Sequence, residues 1–492
     1  MPTRPRRTQR SSAGIDAAGR YDHILAERYA SARMAALFSP VERFRLWRRL
    51  WVALAEAERA LGLPISQAQI AELKRFVDDI NLDDARRIER EVRHDVMAHV
   101  KAYGLQARRA AGIIHLGATS CYVTDNADLL IYRSALELIS DRLIEAVRPL
   151  AAFAFRERRR PALGYTHLQP AQLTTVGKRA CLWVQDLLRD FEQLHFCIRR
   201  LKFLGVKGAT GTQASFLALF NGDHRKVVSL EQRVARAFGF DDCFPIAGQT
   251  YTRKVDADIL SCLDAIAVSA HKMTNDIRYL QSVGELEEPF SEKQIGSSAM
   301  AYKRNPMRSE RAASLARFII SVSTSPQMTA ASQFLERTLD DSANRRLVMP
   351  EAFLAADAIL ILLRNIAAGL VVYPSVIERR VSDALPVMAT ENLLMRAVAC
   401  GGDRQQVHER IRVHAMAAMA GVREGRANDL LERIAGDRAI GLSRAMIARE
   451  LAPRKFVGRA PEQVAEFIAQ DVRPLLRRYK PFFPADDAAV KY

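Results

Sequence analysis

The chain has 492 residues, 49 % of them hydrophobic, which is enough for two or three domains or for one long helical body with smaller ends. Its formal net charge is +17, but the cations are spread along the chain and accompany no zinc finger, RNP-like strand or leucine zipper, so nucleic acid is not the expected partner. No apolar run approaches the ~20 residues that cross a bilayer, so we expect no membrane span.

The first 20 residues form a basic segment, with four arginines among the first ten residues and no acidic residue beside them. Transit peptides and disordered basic tails share this composition, and we expect a disordered tail over residues 1–20. The segment lacks the apolar core of a secretory signal peptide. Short helical patterns, interrupted at Leu63-Pro64, then predict an N-terminal helical domain over residues 21–118.

Much longer helical patterns occupy residues 119–372. Apolar residues over 259–277 alternate by four and three, the spacing of a helix-bundle seam. Four further stripes run through 143–154, with Pro149 as a kink, and through 187–201, 312–322 and 353–371. Long helices that are apolar on two sides predict a bundle completed by further copies of the chain. The fold class is therefore all-α, with shorter helices forming a C-terminal domain over 373–492.

The cysteines and histidines argue against a metal site. Six scattered cysteines form no Cys-x-x-Cys pair, which favours buried thiols in a reducing, cytoplasmic setting over disulfides or zinc. His94 and His99 are five residues apart, whereas zinc-binding helices place histidines four apart with a glutamate between them. We therefore predict no metal and interpret His99 as structural.

Segment 296–310 has the composition most indicative of function. Small residues and two adjacent serines open it, and three cations, an amide and a carboxylate follow. Because it interrupts a long helical pattern, a mobile functional loop is favoured over an ordinary polar surface loop. Its cations, Lys303, Arg304 and Arg308, can meet anions.

Other polar segments offer groups for proton transfer and anion binding. His94 has a carboxylate beside it, and His167 lies in a compact polar stretch ahead of a proline. From residue types alone either histidine qualifies as a base, because a free serine is far too weak, and a structural role for each histidine stays open. Thr119 and Ser120 precede a long helix, where hydroxyls suit carboxylate or phosphate oxygens but also serve as ordinary N-caps.

Two more segments concern phosphate. The glycine-rich stretch 205–213 lacks the Gly-Lys-Ser/Thr ending of a P-loop and follows no strand, so we expect a wall near the site and no triphosphate binding. Segment 336–346 reads as a salt-bridged helix start, although its arginines could grip a phosphate bidentately.

These motifs resemble those of the fumarase/aspartase superfamily. Residues 296–306 match its mobile loop, Gly-Ser-Ser-x-Met-Pro-x-Lys-x-Asn-Pro, and residues 166–172 match Thr-His-x-Gln-Pro-Ala-Gln. The continuation over 302–310 resembles the adenylosuccinate lyases of animal type, and the likeness runs from about residue 28 to 473. It implies a three-domain fold around a long central bundle, a homotetramer whose sites form where three chains meet, a nucleotide substrate and no cofactor.

The resemblance also implies residue roles in an elimination that releases fumarate. Ser297 would be the base, His167 the general acid and His94 part of the active site, while Lys303 and Asn305 would stabilise the carbanion. Glu310 would orient His167 or Lys303. The implied substrate-binding residues are Arg28, Tyr29, Arg93, Asp95, Thr119, Ser120, Thr166, Gln249, Asn305, Arg311, Arg337, Ser342 and Arg346. Of these, Arg337, Ser342 and Arg346, completed by Arg28, Tyr29 and Arg311, would hold a phosphate.

One departure and two alternatives accompany this interpretation. Ala301 stands where the superfamily loop carries proline, which predicts altered loop closure with the chemistry retained. Another lyase of the superfamily, such as argininosuccinate lyase, is one alternative. A non-catalytic scaffold or RNA-binding protein on the same fold is the other.

Overall fold

The computed structural model describes residues 22–291, 293–479 and 490. The predicted basic tail, residues 1–20, lies outside these residues. The α-helices are α1 Ala32–Leu37, α2 Pro40–Ala60, α3 Gln67–Arg75, α4 Leu82–Val92, α5 Asp95–Gln106, α6 Ser120–Arg156, α7 Val176–Arg200, α8 Ala214–Leu219, α9 His224–Ala237, α10 Lys254–Ser282, α11 Met307–Val322, α12 Ser325–Ser332, α13 Asp341–Gly369, α14 Pro374–Met388, α15 Thr390–Ala399, α16 Arg404–Arg423, α17 Leu430–Gly436, α18 Arg444–Glu450, α19 Ala460–Phe467 and α20 Arg473–Arg478.

Little of the described chain is extended. The strands are β1 Pro161–Thr166, β2 Gln169–Thr175, β3 Leu286–Glu287 and β4 Val371–Val372. They form two antiparallel pairs, β1 with β2 and β3 with β4. The prediction of an all-α fold is confirmed. Within the described residues, no helix combines the length and apolarity that crossing a bilayer requires.

The core of the molecule is a bundle of the long helices α6, α7, α10, α11 and α13, which pack on one another. The predicted seam of α10 is buried throughout, from Ile259 to Ile277, and the stripes of α6 and α13 share its apolar cluster. Pro149 lies inside α6 as expected. Helix α13 begins at Asp341, twelve residues before its predicted apolar stripe, so its first turns carry charge.

Smaller apolar cores flank the bundle. One joins Trp47 and Trp51 of α2 to residues 203–251, and a second joins α15 to α18. Val464 and Val472, near the end of the described chain, return to the bundle core. Because residues 203–251 pack with α2, the N-terminal core draws on chain segments from both sides of residue 118. The domain division at residues 118 and 372 stays a prediction.

The lengths of the long helices give the distance between the two ends of the bundle. Helix α6 has 37 residues, so Ser120 at its start and Arg156 at its end stand ~55 Å apart. Helix α10 has 29 residues and spans ~43 Å. We call the part of the bundle at the N-termini of α6, α10 and α13 the Ser120 end. The part at their C-termini, which carries both strand pairs, is the hairpin end.

Candidate functional site

A cavity of about 810 Å³ opens at the Ser120 end. The starts of α5, α6 and α13 meet there, so exposed helix N-termini and their capping residues face a common space, which suits anions. Nine of the predicted site residues line it: Arg93, His94, Asp95, Thr119, Ser120, Gln249, Arg337, Ser342 and Arg346.

His94 is held with its Nε2 atom directed toward Ser120. It is the N-cap of α5, and its Nδ1 accepts a hydrogen bond from the backbone N–H of Met97 at 3.3 Å. In the neutral ring the proton therefore sits on Nε2, which lies 3.5 Å from Ser120 Oγ. Arg93, just before it, has a φ of 54°, a left-handed conformation that ends α4 and turns the chain into the cavity. The geometry leaves His94 able to donate from Nε2 into the cavity.

Arg337 and Gln249 form a polar pair on another wall. The Arg337 guanidinium donates to Gln249 Oε1 at 2.9 Å and also contacts Cys121 Sγ. Gln249 Nε2 in turn donates to the backbone carbonyl of Ala209 at 3.1 Å. The glycine-rich stretch 205–213 thus lies beside the cavity and orients Gln249. Burial, with the carboxylate of Asp125, raises the pKa of the Cys121 thiol to about 12, so this cysteine is a neutral packing group.

The first turns of α13 bring a hydroxyl and a cation to the same space. Ser342 is partly buried, and Arg346, one turn later, is exposed. Arg346 pairs with Asp95 at 3.4 Å across the cavity mouth. An incoming anion would compete with Asp95 for this guanidinium, because the pair is solvent-exposed and therefore weak.

Sequence reasoning missed a buried ionic network beneath the cavity. Arg253 donates to both carboxylate oxygens of Asp125, at 2.9 and 3.2 Å, and to Asp341 at 2.7 Å. Arg345 pairs with Asp256. These side chains are almost wholly buried, and each ion has a hydrogen-bonded partner. The network ties the starts of α6, α10 and α13 together and gives the cavity a rigid floor.

His167 lies far from this cavity. It forms, with Leu168, the two-residue turn between β1 and β2, where both residues have positive φ, 53° and 58°. The hairpin starts beyond the end of α6, and Tyr165, in β1, accepts a hydrogen bond from Arg380 of α14. His167 and Thr166 are therefore exposed at the hairpin end, ~55 Å along α6 from Ser120.

The loop 296–310 lies at the hairpin end as well. Gln281, at the end of α10, donates to the backbone carbonyl of Arg304 at 2.9 Å. Ser297 Oγ accepts from the backbone N–H groups of Ala299 and Met300, and its residue is only partly buried. The loop also carries Lys303, which is exposed, and Asn305, while Glu310 is exposed in the first turn of α11.

Arg28, Tyr29 and Arg311 form a third group. The Arg311 guanidinium lies over the Tyr29 ring, 5.2 Å from its centroid. Both residues, with Arg28, line a small cleft against Ala358 and Leu362, in the middle of α13. Since Ala358 lies 17 residues beyond Asp341, this group is ~26 Å from the start of α13. The structure thus divides the predicted site residues among the cavity, the middle of α13 and the hairpin end.

Comparisons with known proteins give this geometry a context. A family profile described as "Lyase" matches residues 31–320, and one described as "Adenylosuccinate lyase C-terminus" matches residues 386–467. Adenylosuccinate lyase of Saccharomyces cerevisiae is 50 % identical over 475 residues, covering 96 % of this chain and 98 % of that protein. The adenylosuccinate lyase of Schistosoma mansoni is 46 % identical over 463 residues, covering 94 % and 96 %.

Solved structures show the same fold at lower identity. A fumarate lyase from Mesorhizobium sp. BNC1 superposes with a TM-score of 0.78 at 24 % identity, covering 90 % of this chain and 99 % of that one. A 3-carboxy-cis,cis-muconate lactonizing enzyme from Pseudomonas putida has a TM-score of 0.81 at 22 % identity, covering 92 % and 99 %. The long-helix bundle is common to all three chains.

Proposed function

The chain belongs to the adenylosuccinate lyase family of the fumarase/aspartase superfamily, and from this membership we propose its reaction and its site. The reaction is elimination of fumarate from adenylosuccinate, which gives AMP, and from succinyl-aminoimidazole-carboxamide ribotide, which gives the carboxamide ribotide. Full-length identity of 50 % to an adenylosuccinate lyase is the observation that carries this proposal.

The chemistry requires a base, an acid and a way to stabilise negative charge. A base removes a Cβ proton of the succinyl group, the C–N bond breaks as the C=C bond of fumarate forms, and an acid protonates the departing nitrogen. We propose Ser297 as the base and His167 as the acid. Ser297 needs nearby cations and exclusion of water to act as a base, and Lys303 stands on the same loop. Asn305 and Lys303 would stabilise the carbanion as fixed donors.

The cavity at the Ser120 end is the proposed binding site for the nucleotide. Ser342 and Arg346 lie in the first turns of α13, and Arg337 precedes it, so a phosphate there would meet guanidinium groups and a helix N-terminus together. Thr119 and Ser120, beside His94, would take the succinyl carboxylates in the same way at the start of α6.

A complete site requires more than one copy of the chain. The cavity holds His94, whereas His167 and Ser297 lie at the opposite end of helices that are ~43–55 Å long. No side-chain motion bridges that distance. Exposed apolar residues on the bundle, including Leu182 and Phe196 of α7 and Val268 of α10, offer surface for packing against further copies. We propose a homotetramer in which the ends of different chains meet.

The reaction is tested by mixing purified protein with adenylosuccinate and following ultraviolet absorbance as AMP forms. We expect turnover without added cofactor. No change with adenylosuccinate, but release of fumarate from argininosuccinate, would overturn the proposed substrate and favour the other lyase. No turnover of either would favour the scaffold alternative. We place the enzyme in the cytoplasm, since its six cysteines are free thiols.

A further inference from the structure

Residues 285–288, which we call the acidic segment, carry three carboxylates in four positions. Glu285, Glu287 and Glu288 are buried, each with no more than 6 % of its surface exposed. Burying a carboxylate costs free energy unless it is partnered. Each of the three binds a different element of the hairpin end, so the segment joins these elements at one place.

Glu285 holds the hairpin that carries His167. Its Oε1 accepts from Arg380 Nε at 2.8 Å and lies 3.4 Å from the Tyr165 hydroxyl. Arg380 also donates to that hydroxyl at 2.9 Å, which closes a triangle. Tyr165 lies two residues before His167 and pairs with Pro170 on the other strand. This triangle therefore fixes the hairpin directly below its turn.

Glu287 holds the loop that carries Ser297 and Lys303. Arg304 Nη1 lies 3.4 and 3.5 Å from its two carboxylate oxygens, and the Tyr373 hydroxyl donates to Oε2. The Arg304 side chain is thereby drawn back toward β3, away from the exposed tip of the loop. The end of α10 also binds the Arg304 carbonyl, so Arg304 is held through its backbone as well as through its half-exposed side chain.

The two arms of the loop contact each other directly beside Arg304. Asn305 Nδ2 donates to the carbonyl of Gly296 at 2.8 Å. A Cβ atom on Gly296 would lie 2.1 Å from the carbonyl oxygen of Lys303, so only glycine permits this approach. Residues 298–302 are then an exposed tip on a closed base, with the partly buried Ser297 where the tip begins.

Glu288 completes the anchor on the far side of the loop. Its carboxylate accepts from the backbone N–H groups of Arg308 and Ser309, each at 2.9 Å, and from the Ser309 hydroxyl. It therefore caps the N-terminus of α11, where the loop ends.

We propose that Glu287 is a positioning residue of the elimination, acting through Arg304 to set where Lys303 and Ser297 stand. This inference rests on the proposed function of the loop. Glu287 contacts Arg304 and Tyr373 and belongs to none of the groups proposed to touch substrate. Tyr373, at the start of α14, is the third member of the anchor and acts through the same carboxylate.

The test is a double-mutant cycle of Glu287→Gln and Arg304→Gln, with Tyr373→Phe as a milder variant that removes one hydroxyl. Misplacement of the loop should lower kcat by roughly 10- to 100-fold for Glu287→Gln while KM stays within about twofold. The Glu287 and Arg304 effects should be strongly non-additive, because both remove the same contact. Glu409→Gln, which removes an exposed ion pair with Arg412, is the matched control and should leave kcat unchanged.

Hydrogen exchange over residues 296–305 provides a readout that needs no substrate. Faster exchange confined to the loop in Glu287→Gln and Tyr373→Phe supports the proposal. Unchanged kcat, additive effects in the cycle, or loss of activity matched by loss of folded protein would overturn it. If the wild-type protein does not turn over adenylosuccinate, the proposed function fails, whereas the exchange data still decide whether Glu287 holds the loop.

Discussion

The two ends of the bundle are built on different principles. At the Ser120 end, buried ions such as Arg253 and Arg345 tie three helix starts together beneath the cavity. At the hairpin end, His167 and the loop tip are exposed, and only their bases are anchored. One end has a preformed polar cavity, whereas the other exposes the groups that we propose meet such a cavity in another chain.

This difference suggests that the two ends have different roles. Rigid walls that are preformed suit binding, because little ordering entropy is lost when a ligand enters. An exposed tip on a fixed base suits a group that must reach a substrate and then exclude water. The distance between the ends is the reason for our proposal that the two parts of a site come from different chains.

The proposal that the two ends of different chains share a site is tested most directly by inactivating each end separately. Ser297→Ala and His94→Ala should each lower kcat by about 10²- to 10⁴-fold, because each removes a proposed proton-transfer or binding group. When the two inactive variants are mixed after mild dissociation and reassembly, some sites should receive an intact cavity from one chain and an intact loop from another. Adenylosuccinate turnover should then reappear.

Reassembly of each variant alone is the control and should stay inactive. If the mixture also stays inactive although mixed oligomers are shown by a size tag on one variant, then the two ends do not share sites. Full activity of Ser297→Ala by itself would remove the serine from the role of base.

The apolar stripe of the central helix could be predicted from sequence, whereas the buried ions beneath the cavity could not. The apolar stripe of α10 follows from the local 3.6-residue period, which one chain carries in full. The buried ions could not be predicted in this way, because Asp125 and Arg253 are 128 residues apart and only tertiary packing brings them together. A usable signal was present, since Asp256 lies three residues before Ile259 and so falls on the apolar stripe of α10.

The hairpin that carries His167 is a case in which the residue could be predicted from sequence but its local structure could not. Residues 161–175 contain neither Asn-Gly nor another strong two-residue turn signal, so the strands around His167 were not foreseen. His167 and Leu168 are held at positive φ by strand pairing and by the anchor at Glu285. Motif resemblance identified His167 as a candidate, and the structure adds that it lies at an exposed tip.

A pH experiment tests whether the Ser120 end is as rigid as its contacts indicate. Glu58 of α2 is fully buried near Tyr122, at the start of α6, and burial raises the pKa of its carboxyl to about 8. The folded protein then holds a proton that the unfolded chain releases above pH ~4.5, so stability falls as pH rises through the window from about 4.5 to 8. We expect a loss of about 3 kcal/mol between pH 5 and pH 8 from this group.

Glu58→Gln removes the titration and keeps the shape. The unfolding free energy of the variant minus that of the wild type should rise with pH, because only the wild type loses stability from this group. Urea denaturation at pH 5, 6.5 and 8 measures it. Glu409→Gln again serves as the exposed control, with a difference that is flat over this range. A flat difference for Glu58→Gln would show that the carboxyl is solvated and that this end is looser than its packing indicates.

The smallest expected effect concerns the tip of the loop. Ala301 is exposed there. It stands at the position of the proline in the superfamily loop pattern that this segment resembles. Proline would restrict the open loop, so Ala301→Pro should change the free energy of loop closure by about 0.4–1 kcal/mol and turnover by no more than about fivefold. Slower hydrogen exchange at residues 297–302, with exchange at the anchored base unchanged, would place the freedom of this end in its tip. If neither exchange nor turnover changed, Ala301 would not control closure, and the base anchored by Glu287 would set the position of the loop by itself.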